Sequence, residues 1–300
     1  MIFFSDTAVS SPDFWATTLK VLVRLFWVVL VTALLWAVPL ARPAMVFDWS
    51  QAIAATDLTH LSPADIEAIA SLREKAFAAS QAGQYDRAEA YWGDLLEFLP
   101  EEAAIWSNRG LVRASQLHLR EAIEDYGQSI ALAPEAPDPY LNRGAAYEML
   151  GDWEAAIADY NQVLALDPQE AAAYNNRGNA EAGLEHWEAA IADYRTAADL
   201  DPEFALARVN YGLAQYQIGD IKPAIKTLRA VVRRYPNFTD ARAALTAALW
   251  VDGQQGEAES HWVAVSGLDS RYRDLDWIRT IRRWPPAVAD ALAQFLALEG

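Results

Sequence analysis

The chain has 300 residues, 53% of them hydrophobic, with a formal net charge of −17 and no cysteine. That apolar content is ample for a packed core, and so acidic a body repels phosphate backbones, which argues against a nucleic-acid partner. The lack of cysteine excludes a disulfide framework, a thiolate metal site and a thiol nucleophile.

Residues 1–45 hold Lys20, Arg24 and Arg42 against Asp6 and Asp13, so the remainder carries −18. An uncharged stretch of 17 residues runs from Leu25 to Ala41 behind Lys20 and Arg24. It is long for the apolar region of a signal peptide, and Val21–Val23 extend it to spanning length if Arg24 reaches up to the headgroups. Cleavage after Val46 or after Ala44 would put Val46 or Arg42 at a small-residue position, a poor fit for either. Residues 1–46 therefore read as an uncleaved anchor, with a cleaved export signal as the alternative. The two basic residues favour a cytoplasmic or stromal N-terminus, with the body exported. Residues 47–61 form a linker in which Phe47 and Trp49 are placed as interfacial aromatics.

The helical body is expected over 62–270. It opens with Ser62 as N-cap, Pro63 at the first helical position and Asp65 in the first turn. Prolines then recur at Pro100, Pro134, Pro168, Pro202 and Pro236, each 34 residues from the last. A fixed period in this range is the signature of stacked helical pairs. Units start near Ile69, Ala103, Pro137, Ala171 and Ala205, and a degenerate sixth starts at Thr239 with Ser270 in place of the proline. Each unit has two helix-length segments, broken near Gly83, Leu117, Gly151, Glu185 and Gly219.

Within each unit the recurrent residues have physical reasons. Gly110, Gly144, Gly178 and Gly212 lie mid-helix, where glycine costs about 1 kcal/mol against alanine. Their common phase predicts a close helix–helix approach. Ala88, Ala122, Ala156, Ala190 and Ala224 supply small partners on the second helix, and Trp92, Tyr126, Tyr160 and Tyr194 supply large wedges further along it. Each proline then stops that helix.

An opening aromatic (Trp106, Tyr140, Tyr174), an Asn two residues on, a Gly two further, the second-helix Ala and aromatic, and the terminal Pro together resemble the tetratricopeptide repeat, over about 69–270. The resemblance implies an all-α, right-handed superhelix of five to six helix pairs, with an N-terminal hydrophobic helix and a C-terminal capping helix. It also implies that the first helices line a concave groove and that the chain is a protein–protein interaction scaffold. Departures are local: Glu74 stands where the first unit would have its Asn, and Arg208 and Arg242 replace the opening aromatic in the last two units. The hydrophobic N-terminus, the Asn-Arg-Gly triplets and the tail GLDSRYRDLDWIRTIRRWPP are similar to tetratricopeptide proteins of cyanobacteria and chloroplast thylakoids. That narrower likeness implies a body on the periplasmic or thylakoid-lumen side and a photosynthetic membrane complex, whose assembly or maintenance it serves.

Asn108, Asn142, Asn176 and Asn210 share one phase. In this family, asparagine there resembles a ladder that holds the backbone of an extended client peptide, and a primary amide can pair with both groups of a peptide unit. The alternative is that each Asn bonds a neighbouring helix and fixes the superhelical pitch. The same face carries Leu111, Leu141, Val209, Leu213 and Tyr216 with Asn175, Asn179 and Glu148, a mixture that suits a peptide better than a highly charged ligand.

Arg109, Arg143 and Arg177 stand one residue past the Asn, about 100° around the helix. They are expected to pair with Asp125, Asp159 and Asp193 of their own unit, because both partners vanish together in the fifth, at Tyr211 and Thr227. His60, His118, His186 and His261 are scattered, and no nucleophile–base arrangement is found. No catalytic residue, metal, cofactor or small-molecule substrate is expected. The partners are a protein client and, through the N-terminal segment, a membrane.

Residues 271–300 change character, with five Arg against four acids. Trp277, Ile278, Ile281, Phe295 and Leu296 are expected to cap the last repeat. Arg282, Arg283 and Trp284 are a candidate docking surface for an acidic partner or lipid headgroups. The rival to the peptide-holding groove is a permanent structural subunit or tether that binds through its convex face and this cap.

Overall fold

The structure, a computed structural model, describes residues 61–299. The hydrophobic segment 1–46 and the linker as far as residue 60 lie outside the described residues. The described chain is all helical. Six helix pairs follow one another: α1 (Pro63–Gln81) with α2 (Tyr85–Phe98), α3 (Ala103–Ser115) with α4 (Leu119–Leu132), and α5 (Pro137–Leu150) with α6 (Trp153–Leu166). Then come α7 (Ala171–Gly183) with α8 (Trp187–Leu200), α9 (Ala205–Gln217) with α10 (Ile221–Arg234), and α11 (Thr239–Val251) with α12 (Gln255–Leu268). A 3₁₀ turn (Ser270–Arg273) and two helices, α13 (Leu275–Thr280) and α14 (Pro286–Glu299), complete it. Among the described residues no helix is long and apolar enough to cross a membrane.

α1 starts six residues before the unit start expected at Ile69, because a capping box sets its origin. Ser62 accepts from the Asp65 backbone N–H while the Asp65 carboxylate accepts from the Ser62 N–H, and Pro63 opens the first turn. Between paired helices the chain turns through one left-handed residue, spaced by the repeat: Gly83, Leu117, Gly151, Glu185, Gly219 and Gly253. Four are glycine, which adopts positive φ without strain, whereas Leu117 (φ 64°) and Glu185 (φ 61°) hold it at a cost.

The mid-helix glycines meet the second-helix aromatics. A Cβ on Gly144 would stand 2.7 Å from Tyr160 Cε1, and one on Gly110 or Gly178 would stand 2.9 or 2.8 Å from the matching atom of Tyr126 or Tyr194. The close approach expected from the glycines is therefore chiefly a ring laid on backbone. The backbone oxygens of Ala122 and Ala190 lie nearly as near. In the fifth pair Leu228 takes the place of the ring against Gly212.

The end of the chain turns back. α14 packs against α11 and α9, which are first helices of their pairs. Val288, Ala289, Ala291, Leu292 and Phe295 share one core with Val209, Leu213, Tyr216 and the buried alanines of α11. Phe295 makes edge contacts with Trp250 and Trp262, at ring-centroid distances of 5.3 and 5.5 Å. The C-terminal helix thus covers the first-helix face of the last two repeats.

Candidate functional site: the concave face and its C-terminal occupant

The arginines and aspartates that recur with the repeat lie together inside each pair. Arg143 Nε and Nη2 donate to the two Asp159 oxygens at 2.8 and 2.7 Å, and Arg109–Asp125 and Arg177–Asp193 repeat the two-bond geometry. The opening aromatic lies by its Arg, with the guanidinium carbon 4.8 Å from the Trp106 ring, 5.8 Å from Tyr140 and 5.4 Å from Tyr174. The aspartates are buried while the arginines keep about a fifth of their surface open, so the pair joins core to surface.

The asparagine row is less open. Asn108, Asn142 and Asn176 retain 4%, 7% and 3% of their exposure. Asn108 donates to the Ala104 carbonyl of its own helix at 2.8 Å, and Asn176 accepts from Asn175 at 3.2 Å. The Asn142 amide nitrogen is buried without a partner. Asn210, half-buried, donates to Asn175 Oδ1 at 3.0 Å and to Asn179 Oδ1 at 3.3 Å, and Tyr194 donates to the same Asn179 oxygen. Of the four, Asn108 bonds its own helix, Asn176 its sequence neighbour and Asn210 the neighbouring first helix, and Asn179 and Asn210 remain partly open. Leu111 is also partly open, whereas Leu141 and Asn175 are buried. Val209 and Tyr216 are buried in the core that α14 completes.

Glu148, in the last turn of α5, is the charged member of this lining. Tyr160 donates to its Oε2 at 3.2 Å, and burial and the nearby carboxylates hold that phenol protonated far above its ordinary range. Burial pushes the Glu148 carboxyl up to about 7, against the opposing pull of Arg283 and of hydrogen bonds from Tyr160 and Asn179.

The C-terminal segment crosses to that carboxylate. Asp240, on α11, is the anchor: it is 3% exposed and accepts from Tyr272 Oη at 2.7 Å, Trp284 Nε1 at 3.1 Å and Arg282. Arg282 and Trp284, expected as a docking surface, are buried against it. Arg283, between them, takes the left-handed φ of 51° and points the other way. Its Nη1 lies 3.9 Å from Glu148 Oε1 and 3.3 Å from the Glu148 carbonyl oxygen, with its guanidinium 5.3 Å from the Trp153 ring. Four residues on, Ala287 donates its backbone N–H to Gln217 Oε1 at 2.9 Å. Of the expected capping residues, Ile278 and Phe295 are buried, Trp277 and Leu296 pack partly buried against the same core, and Ile281 is 48% exposed.

Sequence reasoning missed Asp240. Its signal is weak: the phase holds buried Ala104 and Ala172, but a second acid, half-buried Asp138, stands there as well. Its partners sit 32 to 44 residues further on, beyond any local pattern.

Family models for the tetratricopeptide repeat match residues 144–209 and 182–249, and a TPR repeat model matches 119–151. No curated protein matches the chain. Among solved structures, a tetratricopeptide repeat protein from Parabacteroides merdae has a TM-score of 0.59 at 17% identity, covering 77% of this chain and 99% of that one. MamA from Desulfovibrio magneticus RS-1, from residue 41 to its end, has a TM-score of 0.53 at 21% identity, covering 55% and 93%. YrrB, described as a TPR protein with an unusual peptide-binding site, has a TM-score of 0.50 at 18% identity, covering 60% and 92%. These likenesses are of fold, and with the three matched models they support a tetratricopeptide-repeat protein.

Proposed function

We propose that the chain is a non-enzymatic scaffold whose concave face holds an extended segment of a client protein, in the assembly or maintenance of a membrane complex. The observation that carries this reading is the contact between Gln217 and Ala287. A side-chain amide on a first helix accepts a backbone N–H from the first turn of α14, a donor that the helix itself leaves unpaired. That is the chemistry by which an amide-lined groove reads backbone rather than sequence. Arg282–Pro285, outside any helix, already lies along this face. Over the first four repeats the chain's own terminal helix is not packed on the first helices, which leaves Leu111, Met149 and Asn179 partly open. The peptide-binding site described for YrrB on the same fold supports a client of this kind. The hydrophobic N-terminal segment would tether the body at a membrane, on the periplasmic or thylakoid-lumen side.

A second reading has its own support. Because α14 fills the face of the last two repeats, the chain would serve as a permanent subunit or tether that binds through its convex face. A photo-crosslinking amino acid placed at Leu111 or Met149 on the concave face, and at exposed Gln162 on a second helix, separates the two. Partners trapped in source membranes from Leu111 and Met149 support the groove. Partners trapped only from Gln162 support the structural subunit.

A further inference from the structure

Glu148 is placed against every local preference. It sits in the last turn of α5, where the helix dipole disfavours an anion, and deep enough beside Tyr160 and Asn179 that charging it is costly. A glutamine there would still accept from Tyr160 through its amide oxygen without a charge. A carboxylate held at such a site is a candidate for recognition of a cation.

The cation now facing it is the chain's own, and its hold is loose. Arg283 is 45% exposed, its ion pair is 3.9 Å long, and its backbone is in the left-handed region that favours glycine. Its neighbours are fixed independently, since Arg282 and Trp284 are buried on Asp240. The tail therefore stays docked whether or not Arg283 reaches across. What surrounds the guanidinium is a carboxylate, a backbone carbonyl and an indole ring. A planar fork of donors can bond both oxygens while lying by the ring, which a compact ammonium cannot do.

Resting on the groove reading above, we infer that Glu148, its carbonyl and the Trp153 ring form a guanidinium-receiving subsite for an arginine in the client's extended segment, and that Arg283 fills this subsite in cis until the client displaces it. The body's net negative charge would draw in a basic segment.

The test uses the full-length protein in detergent and a short fluorescein-labelled peptide with one arginine between prolines, which keep it extended. Its counterpart carries uncharged citrulline instead. Arg283→Gly empties the subsite and also relieves the positive φ, so folding is retained. By fluorescence anisotropy the arginine peptide is expected to bind Arg283→Gly about tenfold tighter than wild type, as follows if the subsite is free about a tenth of the time. Adding Glu148→Gln, or using citrulline, is expected to lose about tenfold or more. Equal affinity for wild type and Arg283→Gly overturns the inference. So does binding that survives both Glu148→Gln and citrulline, although that result leaves a peptide-holding groove standing. No binding to any form overturns it as well, and the groove reading is then decided by the crosslinking experiment.

Discussion

Arg283 Nη1 stands 3.9 Å from Glu148 Oε1, although the two residues are 135 positions apart in the chain. The contact joins the third repeat to the segment that follows the sixth, so the C-terminus does more than close the end of the stack. It lays polypeptide along the first-helix face of the repeats, and Asp240 holds it there through Tyr272, Arg282 and Trp284.

The pH dependence of stability should reveal Glu148. Its carboxyl is pushed up to about 7 in the folded chain, against an ordinary value of 4.5, so the folded form binds the extra proton between those values. Its contribution is full below about 4.5 and is lost as pH rises through about 7. Glu148→Gln is expected to be near neutral at about pH 4 and to stabilise by roughly 1–3 kcal/mol at about pH 8. Urea unfolding of both proteins across this range checks it. A destabilised glutamine variant at high pH would mean that the Arg283 contact outweighs burial.

The Arg143–Asp159 pair should be costly to break and cheap to replace. Asp159→Ala strands a part-buried guanidinium and is expected to cost about 2–4 kcal/mol. Replacing both, with Arg143→Met and Asp159→Leu, should restore stability to within about 1 kcal/mol of wild type. A double-mutant cycle by thermal or urea unfolding measures the coupling.

Mid-helix glycines should part into two classes. Gly93 lies on α2 with open space where a Cβ would go, and Gly93→Ala is expected to stabilise by about 0.5–1 kcal/mol. Gly144→Ala drives a methyl into the Tyr160 ring, 2.7 Å away, and is expected to destabilise by about 1–3 kcal/mol despite the better propensity. Comparing the two melting temperatures decides whether the repeat keeps its glycine for packing.

The turn at Leu117 should improve with glycine. Leu117 holds φ 64° and is 68% exposed, so its side chain contributes little packing. Leu117→Gly is expected to stabilise by about 0.5–1 kcal/mol, since relief of the left-handed strain exceeds the entropy cost of glycine. Glu185→Gly provides an independent copy of the measurement in the fourth repeat.

How far the sequence could be read follows from the range of each interaction. Gly144 and Tyr160, or Arg143 and Asp159, recur in phase 16 residues apart, so their pairing shows within the repeat itself. The helix starts at Ala103, Pro137, Ala171, Ala205 and Thr239 follow from the same period. The path of the tail does not recur. Asp240 meets Trp284 once and Glu148 meets Arg283 once, and no periodic pattern marks a contact made a single time between distant segments. For the same reason Val209 and Tyr216, at groove-facing phases of their helix, could not be seen to lie beneath α14.

The most direct measurement is the yield of crosslinked partner from a photo-reactive residue at Leu111 in source membranes, compared between wild type and Arg283→Gly. If the concave face holds a client and the tail competes for it, the yield rises several-fold when Arg283 is removed. An unchanged yield would contradict competition by the tail, and partners trapped from Gln162 but never from Leu111 would contradict the groove itself.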